Sequence, residues 1–136
     1  MTLQRVRLTL ARDPEFPLGS TRHGYEFVAP LGADGHIDLE AWRRQRAHCR
    51  VRRFWDGEDD ELGHLIRTRG RRWAFHYDVQ GEPDDDETGY RFDSHVFKPG
   101  EYVSILEHDG QLRTFRVDEV RALCVDPSQF KTNARA

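Results

Sequence analysis

The sequence predicts an all-β protein: an antiparallel β-barrel or half-open sandwich of about eight strands, with one short helix at residues 38–48. Two observations carry this prediction. Apolar and polar residues alternate with a period of two in several short segments, which is the pattern of a strand with one buried face. Turn signals that contain glycine or proline separate these segments at close spacing, which favours antiparallel strands over the long helices of an α/β fold.

The strand candidates follow one another along the whole chain. The strongest alternation lies in residues 71–79, where every second residue from Trp73 to Val79 is large and apolar. The RTRGRR segment places Gly70 where a tight hairpin needs a glycine, and Asp109-Gly110 is a second hairpin signal. The predicted strands are 5–10, 24–30, 49–55, 62–68, 71–79, 89–97, 101–107 and 112–117.

One helix is predicted from its capping residue and its apolar spacing. Asp38 can cap the first turn, Glu40 places a negative charge there, and Leu39 and Trp42 lie three residues apart. We also expect a short helical turn at 117–123. The chain then forms a single domain over residues 1–126, followed by a frayed tail at 127–136.

The charge of the chain is small overall but unevenly distributed. With 21 Lys and Arg against 24 Asp and Glu, the net charge of −3 argues against a dedicated nucleic-acid binder. Residues 43–72, however, contain ten arginines and five acidic residues, close to Trp42, Phe54 and Trp55. This segment leaves two interpretations open. It is either a surface for phosphate or single-stranded nucleic acid, or the solvent face of a half-buried sheet.

The stretch HVFKPGEYVSI, residues 95–105, carries the residues that a metal site would need. From Gly89 the order is five residues, His95, one residue, Phe97, three residues and Glu101. This spacing resembles the first metal-binding motif of the cupins, although Phe97 stands where that motif has its second histidine. The resemblance implies a cupin-like β-barrel enzyme in which His95 and Glu101 ligate a divalent metal.

The same stretch also resembles the flavin-binding barrel of ferredoxin-reductase-like enzymes. The match covers Pro99, Gly100, Tyr102 and Val103, and it implies a flavin whose phosphate contacts Arg113. A third interpretation needs backbone physics alone. Pro99 fixes φ and Gly100 permits a positive φ, which suits a turn that leads into a strand. We favour this third interpretation and predict no cofactor.

The expected function is that of a non-catalytic small β-barrel binding or interaction module, with no catalytic residues assigned. A barrel of this size holds a ligand in its mouth or interior, and the candidate ligand-binding residues are His64, His76 and Arg113. Because His64 shares a face with Leu62 and Ile66, we expect it in the core. The partner stays open between a second copy and another protein, with nucleic acid less favoured.

The sequence also carries expectations about compartment and kind of protein. No stretch approaches 18 apolar residues, so we expect no membrane association, and the cytoplasm is the predicted compartment. There Cys49 and Cys124 would be reduced thiols, while a disulfide between them stays open as the alternative. As a whole the chain is similar to small, uncharacterised bacterial proteins, a resemblance that implies no defined activity.

Overall fold

The structure is a computed structural model that describes residues 2–78, 87–90, 92, 95–107 and 109–123. Within these ranges it contains eight strands and one short α-helix, which a single 3₁₀ turn at Arg46–His48 extends. The elements are β1 Leu3–Leu10, β2 Ser20–Pro30, α1 Leu39–Gln45, β3 Arg50–Trp55, β4 Glu61–Arg67, β5 Trp73–Tyr77, β6 Glu87–Tyr90, β7 Tyr102–Leu106 and β8 Leu112–Ala122.

The strands form one curled antiparallel sheet. Each strand pairs with its neighbour in sequence, and β1 pairs with β8, so that the sheet closes into a barrel. Strand pairing in the barrel wall is shortest at β6, which pairs with β5 over two residues and with β7 over three. The predicted all-β antiparallel fold with one short helix is therefore confirmed, in its barrel form.

Two predicted elements differ from the structure. The strand predicted at 89–97 is wrong in its second half, because β6 ends at Tyr90 and the described residues 95–98 lie outside any strand. The helical turn predicted at 117–123 is wrong, because β8 continues to Ala122 and its last residues pair with the beginning of β1. Val79, Cys124 and the tail at 127–136 lie outside the described residues.

The two predicted hairpin turns are present, with one difference in detail. Gly110 takes a positive φ of 85°, as the Asp-Gly signal requires. In the β4–β5 turn the left-handed residue is Arg71, with a φ of 60°, rather than Gly70. The Arg71 amide donates to the Thr68 carbonyl oxygen at 3.0 Å, and this hydrogen bond closes the turn.

Aromatic side chains fill the barrel interior. Among the largest fully buried residues are Tyr25, Phe27, Phe75, Phe92, Phe97 and Phe115. Their rings pack against one another: the centroid of Tyr25 lies 5.1 Å from that of Phe115, and Phe27 lies 5.5 Å from Phe97. Eight strands enclose a space that side chains alone can fill. The middle of the barrel is therefore a core.

The helix covers one end of this core. The Asp38 carboxylate accepts the Ala41 amide at 2.8 Å, as predicted for the capping residue. Trp42 is buried, its ring centroid lies 5.3 Å from that of Trp73, and its indole N–H donates to the Leu65 carbonyl oxygen at 3.0 Å. These contacts fix the helix against the beginning of β5 and the end of β4.

Candidate functional site

The barrel has two chemically different ends. Because successive strands run in opposite directions, the connections between them alternate from one end to the other. We call one end the acidic end: of its connections, 11–19, 56–60 and 107–111, which are largely described, carry eight acidic residues and one basic residue. We call the other the basic end: of its connections, 31–49, 68–72 and the described part 95–101 carry seven basic and four acidic residues.

A buried arginine organises the acidic end. The Arg113 side chain is only 5% exposed and points into the barrel from β8. Its Nε lies 2.8 Å from Glu107 Oε1, and its two terminal nitrogens lie 3.1 Å from Asp13 Oδ1 and 2.9 Å from Glu15 Oε1. Burial alone would lower the pKa of Arg113, but the hydrogen bond to Glu15 and the nearby carboxylate charges raise it. This guanidinium is permanently charged.

A second buried arginine shares the same carboxylate. Arg53, also 5% exposed, places NH2 3.4 Å from Glu107 Oε2, and its NH1 lies 3.3 Å from Glu58 Oε1. Glu107 also accepts the Tyr25 hydroxyl at 2.6 Å. The Trp55 ring lies against both guanidiniums, with its centroid 4.3 Å from Arg53 Cζ and 5.5 Å from Arg113 Cζ. We call Tyr25, Arg53, Trp55, Glu107 and Arg113 the mouth cluster.

The connection 11–19 lies across the mouth cluster. The centroid of its Phe16 ring lies 4.5 Å from that of His23 and 6.5 Å from that of Trp55. The Asp13 and Glu15 carboxylates of the same connection form ion pairs with Arg113. The His23 imidazole contacts Ser20 Oγ at 2.6 Å. Burial lowers the pKa of His23, and the Arg53 charge lowers it further against the opposing effect of Asp56. These effects favour the neutral form of the His23 ring in this stack.

The predicted ligand residues lie in two separate places. Arg113 is inside the mouth, where four carboxylates surround it. His64 and His76 instead face each other across β4 and β5 on the outer wall. His64 Nδ1 lies 3.3 Å from Asp78 Oδ1, and Arg50 lies 3.3 Å from the other ring nitrogen. The structure thus does not bring the three residues together.

The expectation that His64 lies in the core is wrong. The inward face of β4 carries Gly63 and Leu65, while Leu62 on the other face is half exposed. The sequence pattern did not reveal this arrangement, because Gly63 occupies an inward position but has no apolar side chain. A side chain is excluded there, since a Cβ on Gly63 would lie 2.1 Å from the His76 carbonyl oxygen.

The stretch 95–105 is a turn that leads into β7. Gly100 has a φ of 93°, and the Glu101 amide donates to the Lys98 carbonyl oxygen at 3.0 Å. His95 is half-buried, Glu101 is exposed, and Phe97 between them packs in the aromatic core. Within the described ranges, no three His, Cys, Asp or Glu side chains gather as a metal site would require.

The arginine-rich segment 43–72 is divided among three surroundings. On the outer wall, Arg50 pairs with Asp78 at 3.0 Å, and Arg52 pairs with Glu26 and with Asp60, the latter at 2.9 Å. In the interior, Arg53 belongs to the mouth cluster. The remaining exposed arginines lie at the basic end: Arg43, Arg44, Arg46, Arg69, Arg71 and Arg72.

Sequence reasoning missed most of the mouth cluster, although a signal was present. Val103, Ile105 and Glu107 occupy every second position along β7 and the residue that follows it, and Arg113 and Phe115 do the same on β8. Charged residues at the inward positions of two strands joined by a tight turn indicate a buried ion pair. Tyr25 and Trp55 carry no comparable signal, since any barrel core uses aromatic residues.

Comparisons of the chain with protein-family models, with curated proteins and with solved structures found no match. Neither helix in the described residues has the length and apolar character needed to cross a membrane.

Proposed function

We propose that the protein is a small, non-catalytic β-barrel interaction module that binds an acidic protein surface through its basic end. The observation that carries this proposal is the set of six exposed arginines in two connections, 43–46 and 68–72. The contact of Trp42 with Trp73 at 5.3 Å joins these connections, because Trp42 precedes the first and Trp73 follows the second. The basic surface thus rests on a rigid, buried support.

Most of these arginines have no ion-pair partner among the residues that the structure describes. In the part of the chain that the structure describes, Arg43 is the one among the six with an ion pair, to Glu40 at 2.6 Å. An exposed guanidinium offers several donors in a planar fork that matches a carboxylate. A surface of such groups favours a partner that supplies carboxylates.

An acidic protein is favoured over nucleic acid because the nearby aromatic rings are buried. Single-stranded nucleic acid is bound by stacking its bases on exposed rings beside a basic groove. The indole rings of Trp42 and Trp73 instead pack against each other in the core. The net charge of −3 also argues against a dedicated nucleic-acid binder.

We further propose the cytoplasm as the compartment in which the module acts. The support is Cys49, which is buried and forms no disulfide with any residue that the structure describes. Burial raises the pKa of the Cys49 thiol to about 11, which keeps it protonated and unreactive. A reduced cysteine at a core position is usual in a reducing compartment.

The test is the binding of fluorescein-labelled poly-L-glutamate, followed by fluorescence anisotropy at low salt. The variant Arg44→Glu/Arg69→Glu reverses two exposed charges of the basic end. We expect its affinity to fall by about tenfold or more, and wild-type binding to weaken as salt screens the charges. The matched control is Arg12→Glu/Arg116→Glu, which changes the net charge equally at exposed positions outside the basic end. Its affinity should fall by less than about threefold.

The same assay separates the proposal from its rivals. Equal losses in the two variants would show a response to net charge alone and would overturn the proposal. Tighter binding of a single-stranded oligothymidylate, lost in the same basic-end variant, would assign the surface to nucleic acid instead. No binding of poly-L-glutamate by the wild-type protein at low salt would also overturn it.

A further inference from the structure

We infer that the acidic partner is a second copy of this chain, so that the acidic end of one molecule binds the basic end of the next. This inference rests on the proposed function of the basic end. It adds the identity of the partner, on the ground that the chain itself presents a complementary surface at the opposite end of the same barrel. Two such ends on one molecule provide both halves of a contact.

The acidic end presents carboxylates in a fixed arrangement. The β3–β4 connection has the sequence Asp56-Gly-Glu-Asp-Asp60, and all five of its residues are exposed. Gly57 takes a φ of 86°, and the Glu58 amide donates to the Trp55 carbonyl oxygen at 2.9 Å, which closes the turn. Four carboxylates therefore project from one tight turn.

Two arginines of β3 hold this turn in place, Arg53 from the mouth cluster and Arg52 from the outer wall. Glu58 contacts the buried Arg53 at 3.3 Å, and Asp60 contacts Arg52 at 2.9 Å. Asp59 lies between these two anchored residues and makes no ion pair with any described residue. An anchored turn loses little conformational entropy when a partner binds it, which favours association.

The distribution of charge selects the geometry of the contact. Two acidic ends facing each other, or two basic ends, would bring like charges together, which opposes a symmetric end-to-end dimer. A contact between unlike ends is heterologous and leaves a free end of each kind. The resulting assemblies are chains or rings whose length rises with protein concentration.

The contact should be weak and strongly dependent on salt. The ends of a small barrel offer a limited area, and the groups that meet there are exposed charges rather than apolar side chains. Charges of this kind are screened within about 10 Å at an ionic strength of about 0.1 M. Self-association is therefore expected at low salt and high protein concentration.

The experiment is sedimentation velocity with complementary charge reversals. The first variant, Arg44→Glu/Arg69→Glu, makes both ends acidic. The second, Asp56→Arg/Asp59→Arg, cancels the net charge of the 56–60 turn, leaves the basic end unchanged and changes exposed side chains outside the mouth cluster. At about 20 mM NaCl we expect the wild-type mass to increase with concentration, and this increase to disappear at about 0.5 M. Each variant alone should stay monomeric, and an equimolar mixture of the two should associate again.

Restored association in the mixture supports the inference, because each variant retains the unchanged end that the other has lost. A wild-type protein that stays monomeric at low salt, or variants that associate as the wild type does, would overturn it. Poly-L-glutamate binding distinguishes the two levels of the account. If the monomeric protein binds that polymer through Arg44 and Arg69, the proposed function stands and the second copy is the wrong partner. If the protein binds neither poly-L-glutamate nor a second copy of itself, both proposals are wrong.

Discussion

The two ends of the barrel use arginine in opposite ways. At the acidic end, Arg53 and Arg113 are almost fully buried and share Glu107 between them. At the basic end, Arg44 and Arg69 are exposed, and the core beneath them ends in the contact between Trp42 and Trp73. The comparison shows that the placement of an arginine decides its role. Buried arginines stabilise the mouth of the barrel, and exposed ones are available to a partner.

The largest expected effect is at the acidic end. Arg113→Ala should lower the free energy of unfolding by about 3–5 kcal/mol, because Glu107 would be left as a buried charge with less compensation. Arg116→Ala is the matched control, since Arg116 lies on the same strand and faces solvent. Its effect should stay within about 0.5 kcal/mol. Urea denaturation of both variants measures the difference, and equal losses would contradict the buried role of Arg113.

A smaller effect is expected at the support of the basic end. Trp42→Phe keeps an aromatic ring but removes the indole N–H that donates to the Leu65 carbonyl oxygen. That buried acceptor would lose its side-chain donor, so we expect a loss of about 1–2 kcal/mol in urea denaturation. Leu62→Ala, at an exposed position on the same strand as Leu65, should change stability much less. A Trp42→Phe variant as stable as the wild type would show that the helix is not held by this bond.

The wall between the two ends should respond to acid. Burial would raise the pKa of Glu26, but the hydrogen bonds from Arg52 and Arg7 outweigh it and hold the pKa below its ordinary value. A carboxyl whose pKa is lower in the folded state stabilises the fold above its unfolded pKa, and this stabilisation is lost as the pH falls through the folded pKa. When the pH is lowered below about 4.5, the thermal unfolding midpoint should therefore decrease. This decrease should be smaller in Glu26→Gln than in the wild type.

The smallest effect is expected for the exposed arginines themselves. Arg44→Ala and Arg69→Ala should each change the free energy of unfolding by less than about 0.5 kcal/mol, because these side chains are exposed. Thermal and urea denaturation provide the check. A loss of more than about 1 kcal/mol in either variant would mean that the basic end, like the acidic end, uses its arginines for stability.

Local patterns in the sequence predicted most of the fold. Alternation located the strands, Asp109-Gly110 located the last hairpin, and Asp38 marked the start of the helix. Residues 117–123 were misassigned to a helix because the strand there depends on pairing with β1, more than 100 residues away in sequence. Nothing within such a segment records its distant partner.

The candidate site was less predictable because its contacts span long distances along the chain. The Tyr25–Glu107 hydrogen bond joins residues 82 apart, and Arg113 meets Glu15 across 98 residues. The arginine-rich segment 43–72 was visible as a charge cluster. Its division among wall, interior and basic end follows from the strand register, which the sequence does not display.

The most direct test of the central claim is an amide chemical-shift titration of the ¹⁵N-labelled protein with poly-L-glutamate at low salt. We expect the shifts to concentrate in residues 43–48 and 68–72, and the mouth residues Arg53 and Arg113 to stay unperturbed. Shifts centred on the acidic end or spread evenly over the outer wall would contradict it, because the exposed arginines of the basic end would then not be the binding surface.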